Sequence, residues 1–302
     1  MASVVGALNP EVWAGDIADL IFPDGSFIMR SVDDTALAQN SRTVHLPQAG
    51  AAATVVEDRT SLPATAQQRT DTLLNYETRS YTTDPIYLRD AEAAEVSYDK
   101  RLSLMQDAVL NLQEVVAKRI GYEWGKTPQA KILTTGVNRA AEAPGATGNR
   151  KAMTAADFKA ARAALNAQNI PLLGRVAVLT AQMYEDLTGD TSISNAAAFG
   201  KATLPTGVVD QLYGFDIMLR TNFLTFDTSS VAKVPGTSTA TTDKAASLFY
   251  NERFVRRAKG PVNPFLREND PLYYGSIMSF EAFAGGCRRY TSGLGIVALL
   301  EG

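Results

Sequence analysis

Nucleophilic or general-base chemistry in this chain must draw on a thin inventory: one histidine, His45, and one cysteine, Cys287. A Ser/His/Asp triad would have to use His45. That residue sits in Thr43-Val44-His45-Leu46-Pro47, which reads as a strand ending at a proline, so a strand-surface role is the simpler reading. Cys287 follows Gly285-Gly286 in an apolar C-terminal stretch and reads as a small buried filler in preference to a reactive thiol. No disulfide can form within the chain, and a zinc site built from Cys and His would need several such ligands together. The carboxylate pairs Asp33-Asp34 and Glu57-Asp58 lie in arm or loop sequence with no apolar pocket in view to raise a pKa, so acid–base chemistry is unsupported.

Two glycine motifs tempt and fail. Gly121-Tyr122-Glu123-Trp124-Gly125-Lys126-Thr127 is one residue short of a P-loop and follows a helix, where the motif must follow a strand. Gly121 then reads as a helix C-terminal cap. Ser292-Gly293-Leu294-Gly295 lacks the third glycine and the following helix of a dinucleotide fingerprint and reads as a turn. Arg253, Arg256 and Arg257 could touch phosphate, but they suit pairing with acidic residues of a neighbouring chain better. The expectation is a protein with no catalytic, cofactor-binding or metal site.

The bulk properties narrow the class. The length, 302 residues, allows one large domain or two intimately connected ones. The net charge of −3 argues against a basic nucleic-acid binder. No run of eighteen apolar residues would span a membrane, and Met1 to Pro10 lacks the basic patch and apolar core of a secretory signal. Charge is uneven along the chain. Residues 1–99 hold 15 acids and 6 arginines, a balance of −9, and no lysine; residues 100–175 hold 12 bases and 5 acids, a balance of +7. Chance and solvated surface account for such a split as well as an N-terminal part laid on a neighbour's middle, where it would gain orientation and register.

The elements that must position these residues are an N-terminal arm, a long excursion, a long helix and an α+β remainder. In residues 1–38, short apolar pieces (Val12-Trp13, Ile17, Leu20-Ile21-Phe22) are broken by Pro10, Pro23 and Gly25 and need something to lie against. Residues 39–84 read as a two-stranded excursion, Arg42 to Leu46 and Leu73 to Thr82, with a tip at Pro47 to Thr70 that is rich in Ala, Thr, Gly and Pro. Such a hairpin cannot stabilise itself in water and its tip is too long for an ordinary connection, so another chain is expected to fix it. Asp84-Pro85 supplies an N-cap and first-turn proline. Ala91, Tyr98, Leu102, Met105, Val109, Leu112 and Val116 then recur at threes and fours, which predicts a helix over 85–120. A coiled coil is the alternative, but the seam is weak and a helix lying along a sheet fits better.

Thr127 to Lys151 reads as loop. A capped helix follows from Thr154 to about Asn169, then a buried strand Arg175 to Leu179, and a short helix with Met183, Tyr184 and Leu187. Leu212, the turn Tyr213-Gly214 and a strand Phe215 to Leu219 come next, then a polar surface loop over 225–244. The end holds a basic turn (Arg253, Arg256, Arg257, Lys259), a Pro-rich bend from Pro261 to Pro271, and strands around Ser276 to Ala284 and Gly295 to Leu300.

In this order the elements resemble the major capsid proteins of tailed double-stranded-DNA phages with the Hong Kong 97-type fold. The likeness is tightest at Asp157 to Leu187, at Gly207 to Asn222 with its Tyr213-Gly214-Phe215-Asp216-Ile217 passage, and at Gly275 to Leu300. The resemblance implies an α+β chain with an N-arm (1–38), an extended β-hairpin loop (39–84), a peripheral domain (85–149 and 261–290) with its spine helix at 85–120, and an axial domain (150–260 and 291–302). It implies hexamers and pentamers in a closed icosahedral shell in the virion, assembled in the host cytoplasm, around duplex DNA touched only weakly and non-specifically. Trp13, Phe22, Arg42, Glu57, Asp58, Arg59, Arg69, Arg79, Arg253, Arg256 and Arg257 are the candidate inter-subunit contacts. Some members weld subunits through a lysine on the extended loop; residues 39–84 contain none, so no such cross-link is expected. The arm starts near Met1 with no long helical segment before it, so scaffolding, if needed, is expected from a separate protein. A portal is implied as well, with room for a decoration protein. An encapsulin-like nanocompartment shell enclosing a cargo enzyme would share the fold and is the alternative; an unrecognised enzyme is the remoter one.

Overall fold

The computed structural model describes residues 27–38, 42–50, 53–60, 63–64, 66–89, 100–189, 211–221, 223–272 and 274–302, apart from single positions within those runs. Trp13 and Phe22 lie outside them, as do Ala91 and Tyr98. The described strands are β1 (Val32–Asp33), β2 (Thr43–Gln48), β3 (Thr72–Glu77), β4 (Arg79–Thr82), β5 (Ile86–Arg89), β6 (Ala130–Leu133), β7 (Asn138–Ala140), β8 (Asn149–Lys151), β9 (Arg175–Leu179), β10 (Gln211–Leu212), β11 (Phe215–Leu219), β12 (Leu224–Phe226), β13 (Lys244–Asn251), β14 (Val255–Asp270), β15 (Gly275–Arg288) and β16 (Ile296–Leu300). The helices are α1 (Thr35–Ala38), α2 (Lys100–Gly125), α3 (Ala155–Ala167) and α4 (Ala181–Gly189).

Two sheets organise the body. A seven-stranded sheet runs β10-β11-β9-β13-β16-β6, with β12 also on β13. Its central strands β9 and β16 are buried at every residue, because helices cover one face and the rest of the core the other, which is why they read as unbroken apolar runs. Alternate residues go to opposite sides. Ala177, Leu179, Phe249, Val297 and Leu299 pack with Phe158, Ala161 and Leu165 of α3 and Met183 and Leu187 of α4. Val176, Val178, Leu248, Tyr250, Ile296, Ala298 and Leu300 pack with Val116, Ile120 and Trp124 of α2. The α3 start is fixed by a reciprocal capping box between Thr154 and Asp157.

The second sheet is built on β14 and β15, a long antiparallel pair with β1 outside β14 and with β4 and β5 along the outer edge of β15. Thus Arg253 to Pro271 is not a basic turn and a bend but, from Val255, one 16-residue strand. Its prolines are tolerated at a register shift between Lys259 and Val262 and opposite Phe280. Thr127 to Lys151 likewise carries β6, paired in parallel with β16 at the sheet edge, and the β7–β8 pair, where a loop was expected.

The long helix differs from its predicted span at both ends. Ile86–Arg89 is a strand paired with Gly275 to Met278, so Asp84-Pro85 does not cap a helix. The open edge of β15 beyond β4 offered this segment a ladder, and the tertiary partner won over the local capping signal. At the other end the helix runs through Gly121 to Gly125. Gly121 is no cap: a Cβ there would lie 2.4 Å from the Phe223 ring, so the glycine admits that ring against the helix. The helix lies along the second sheet, with Met105, Val109 and Leu112 on Met278, Phe280 and Ala282. Its last turns enter the main core, where Trp124 donates from Nε1 to the Arg256 carbonyl at 2.9 Å.

Candidate assembly interface

The predicted contact residues fall into two sets with opposite fates. One set is consumed inside the chain. Phe27 and Ile28 enter the main core; the Phe27 ring meets Trp124 edge-on at 5.5 Å and Phe223 at 5.0 Å. From there residues 28–34 run as a strap along β14, with β1 pairing Val32 with Arg256 and Asp33 with Arg257 in parallel. Arg257 Nη1 donates to the carbonyls of Ile28 and Met29 at 2.8 Å and of Ser31 at 3.0 Å. Its Nη2 stands 3.2 Å from the Asp33 carboxylate. Arg256 pairs with buried Asp34 at 2.7 Å, and the Tyr76 hydroxyl donates to the other oxygen of Asp34 at 3.2 Å. Arg256 and Arg257 therefore pair with the acidic N-terminal third of their own chain, not of a neighbour. The local reason is spacing. Consecutive arginines on an extended strand point to opposite faces, and so do consecutive aspartates: Asp33 stands opposite Arg257, and Asp34 shares the other face with Arg256, which it reaches diagonally. Arg253 is exposed on the 3-10 turn Glu252–Phe254.

Burial works to raise the Asp33 carboxyl, but hydrogen bonds from the Thr35 hydroxyl and N–H, with the Arg257 and Lys259 charges, overcome it and leave the group below its ordinary value. Asp34 binds two partners that differ in sequence position by 180 residues, and so ties the strap, β14 and the excursion into one unit.

The excursion is divided. β2 and β3 pair from Thr43–Glu77 to Gln48–Thr72. Val44, Leu46 and Tyr76 are buried against Ala258 and Cys287. The base of the hairpin thus docks on its own body, which corrects the expectation that another chain must hold it. The close approach depends on Gly285, where a Cβ would lie 2.9 Å from the Glu77 carbonyl. The single predicted strand Leu73 to Thr82 breaks at Thr78, whose N–H donates to the Arg42 carbonyl. The facing set changes phase there, from Leu74 and Tyr76 to Tyr81, as β4 leaves the hairpin for β15. Arg42 is exposed at the junction and lies over the Phe283 ring at 5.4 Å.

Beyond the base the tip stands in solvent. Asp71 accepts from the Gly50 N–H at 2.8 Å and from Arg69 at 2.6 Å. Gln67 accepts from the Thr54 N–H at 3.0 Å. These bonds keep the two limbs side by side to Thr54, so Glu57 and Asp58 form a turn at the far end, with Asp58 at φ 44°. Val55 beside them is 93% exposed. Glu57, Asp58, Arg59 and Arg69 are all exposed, as the contact reading requires of them, while Arg79 faces a cleft at the excursion's root.

The reactive residues sit in quiet places. His45 is exposed on β2 and its Nδ1 shares a hydrogen bond with Asn75 at 2.8 Å. Burial, then the Asp34 charge, pushes the Cys287 thiol up to about 12. Among the described residues, sequence reasoning missed a gathering of carboxylates, Asp186, Glu142 and Glu301 around Arg139, which stands 2.7 Å from Asp186 and 2.8 Å from Glu301. The same carboxylates also accept other in-chain donors: Met153 N–H on Asp186, the Glu142 and Ala245 N–H groups on Glu301, and the Thr180 hydroxyl on Glu142. The cluster ties the C-terminus to α4 and the β7–β8 region. No local spacing could have announced it, since its members lie up to 162 residues apart.

Comparison against protein-family models finds no match, and neither does comparison against curated protein sequences. Solved structures do match. A chain from Mycobacterium phage Che8 superposes with a TM-score of 0.62 at 16% identity, over 94% of this chain and 90% of that one. The capsid of cyanophage P-SCSP1u gives 0.61 at 18%, over 89% and 86%. The fold is that of phage capsid proteins. A virus-like particle from Pyrococcus furiosus also shares it, at 0.56 and 12% identity, over 96% and 98%.

Proposed function

We propose that this chain is the major capsid protein of a tailed double-stranded-DNA phage, a shell-building protein and not an enzyme. What carries the reading is the two-way coverage of phage capsid structures over about nine-tenths of each chain, joined to an excursion whose tip leaves its own body. In this reading the seven-stranded sheet with α3 and α4 is the axial domain, and the sheet built on β14 and β15 is peripheral. Helix α2 is the spine and residues 1–38 the N-arm. The tips reach over neighbours in hexamers and pentamers, and a separate scaffolding protein and a portal guide closure. Each tip contact buries several hundred Å² at most and is weak alone; closed symmetry makes the sum cooperative. Packaged DNA meets a near-neutral chain and is touched only weakly.

The test is to replace residues 53–70 by a two-residue turn. The shortened subunit should keep its thermal stability and yet form no shells by electron microscopy when co-expressed with scaffold, where the full chain does. Uniform shells from the shortened chain, or a full chain that stays monomeric with its scaffold, would overturn the reading. The Pyrococcus furiosus match supports a second reading, a compartment shell; a cargo enzyme in place of DNA inside purified particles would select it.

A further inference from the structure

A cavity of about 150 Å³ opens between α2 and the loop that follows β12. Pro144, Phe223, Leu224, Val234 and Pro235 give it apolar walls. An apolar cavity of this size accommodates a benzene ring. The charges on its walls are already matched: Lys233 pairs with Asp243, and Lys118 with Glu114 of the same helix. The cavity therefore suits an apolar guest and not an ion. The described chain starts one ring away from it. Phe27, the first described residue, sets its ring 5.0 Å from that of Phe223. The residues before it read Leu20-Ile21-Phe22-Pro23-Asp24-Gly25-Ser26. Pro-Asp-Gly between apolar residues is turn chemistry: proline presets the first corner, aspartate suits the second and glycine the exit. Such a turn brings its first and fourth α-carbons within about 7 Å, so Phe22 doubles back toward Phe27. Even fully extended, five residues span only about 17 Å.

We propose that Phe22 seats in this cavity of its own chain, so that Phe22 and Phe27 hold the Phe223 ring between them. Three points favour this occupant. Phe22 is the first aromatic residue upstream of Phe27 in the sequence. Its tether of a few residues gives it an effective concentration that a free subunit does not match. The Phe223 wall is preformed, because the α2 backbone at Gly121 lies against that ring, so seating a guest orders little else. The seat fixes where residues 1–21 leave the body, beside α2. It also turns Phe22 from an inter-subunit contact into an internal peg. None of this depends on the shell reading.

The test uses the full-length, unassembled subunit at low concentration. Phe22→Cys is combined with Thr237→Cys at the cavity, or with Leu272→Cys at the exposed turn between β14 and β15 as a control. Mild oxidation and peptide mapping should find an intrachain bridge in the first pair and none in the second. Interchain bridges in the first pair would put a second copy's Phe22 in the cavity and overturn the assignment. Equal bridging in both pairs, or in neither, overturns it too. A thermodynamic cycle gives an independent reading. Phe22→Ala and Val234→Asp should each lower the thermal unfolding midpoint, and the double variant should lose clearly less than the sum, since both remove one contact. Phe22→Leu, which keeps an apolar guest, should recover most of the loss. Additive losses, or no loss from Phe22→Ala, count against the seat.

Discussion

Arg257 shows at the residue scale how one side chain replaces an interface. Its guanidinium meets three strap carbonyls and the Asp33 carboxylate, and the residue is 7% exposed. Arg257→Ala should therefore cost about 1.5–3 kcal/mol, the loss of a buried charged donor to backbone carbonyls, with little added by Asp33, whose side chain is 44% exposed. Denaturant unfolding would measure the loss, and hydrogen exchange should show residues 28–34 released first. The pH dependence follows from Asp33. Its folded value is lowered, so its contribution is present above the ordinary carboxylate value, 3.8, and is lost as pH falls through the folded value below it. Strap exchange should accordingly speed up below about pH 4. Cys287 runs the other way. Its folded value is raised from 9.0 to about 12, so its contribution is complete below pH 9 and fades as pH rises toward 12. At pH 8 iodoacetamide should alkylate the unfolded chain readily and the native chain hardly at all; equal rates would contradict the burial argument.

At the scale of elements, α2 and the excursion each solve a packing problem with a glycine. Gly121 lets the Phe223 ring touch the helix backbone. Gly121→Val should destabilise, since overpacking costs about 1–3 kcal/mol while removing a helical glycine returns less than about 1 kcal/mol. A thermal melt should show the loss, and pairing the change with Phe223→Ala should remove the clash component. Helix α2 spans 26 residues, about 39 Å at 1.5 Å per residue, long enough to bridge both sheets. Its first buried residues meet β15 and its last meet the main core. That is why its periodicity was visible over Met105 to Val116 and why its true end was not. Ile120 and Trp124 continue the same spacing, but a glycine between them reads as a stop until Phe223 is seen beside it.

For the whole molecule, the strap and hairpin base are held within the chain, so the shell proposed above would draw on the tip and the surfaces around it. Residues 39–84 hold no lysine, and mature shells should run as a single monomer band on a denaturing gel; a ladder of covalent multimers would refute this. On the proposed shell reading, the chain expressed alone should not build uniform shells, because arms and tips set contacts but not curvature.

Much was settled by sequence alone. Short unbroken apolar runs placed β9 and β16, and apolar spacings of three and four placed α3 and the middle of α2. The Thr154–Asp157 spacing marked a helix start, and the thin supply of His and Cys turned attention from catalysis to surfaces. These are local properties, carried by neighbours within one or two turns. Tertiary structure alone decided the partners. Sequence showed an acidic front third and arginines near the end, yet not that Asp33 and Asp34 would meet Arg257 and Arg256 of the same chain. It predicted a helix from Pro85, and could not show the open β15 edge that made Ile86–Arg89 a strand. Pairing energies of this kind depend on which surfaces arrive side by side, and contacts across more than two hundred residues leave no trace in local spacing.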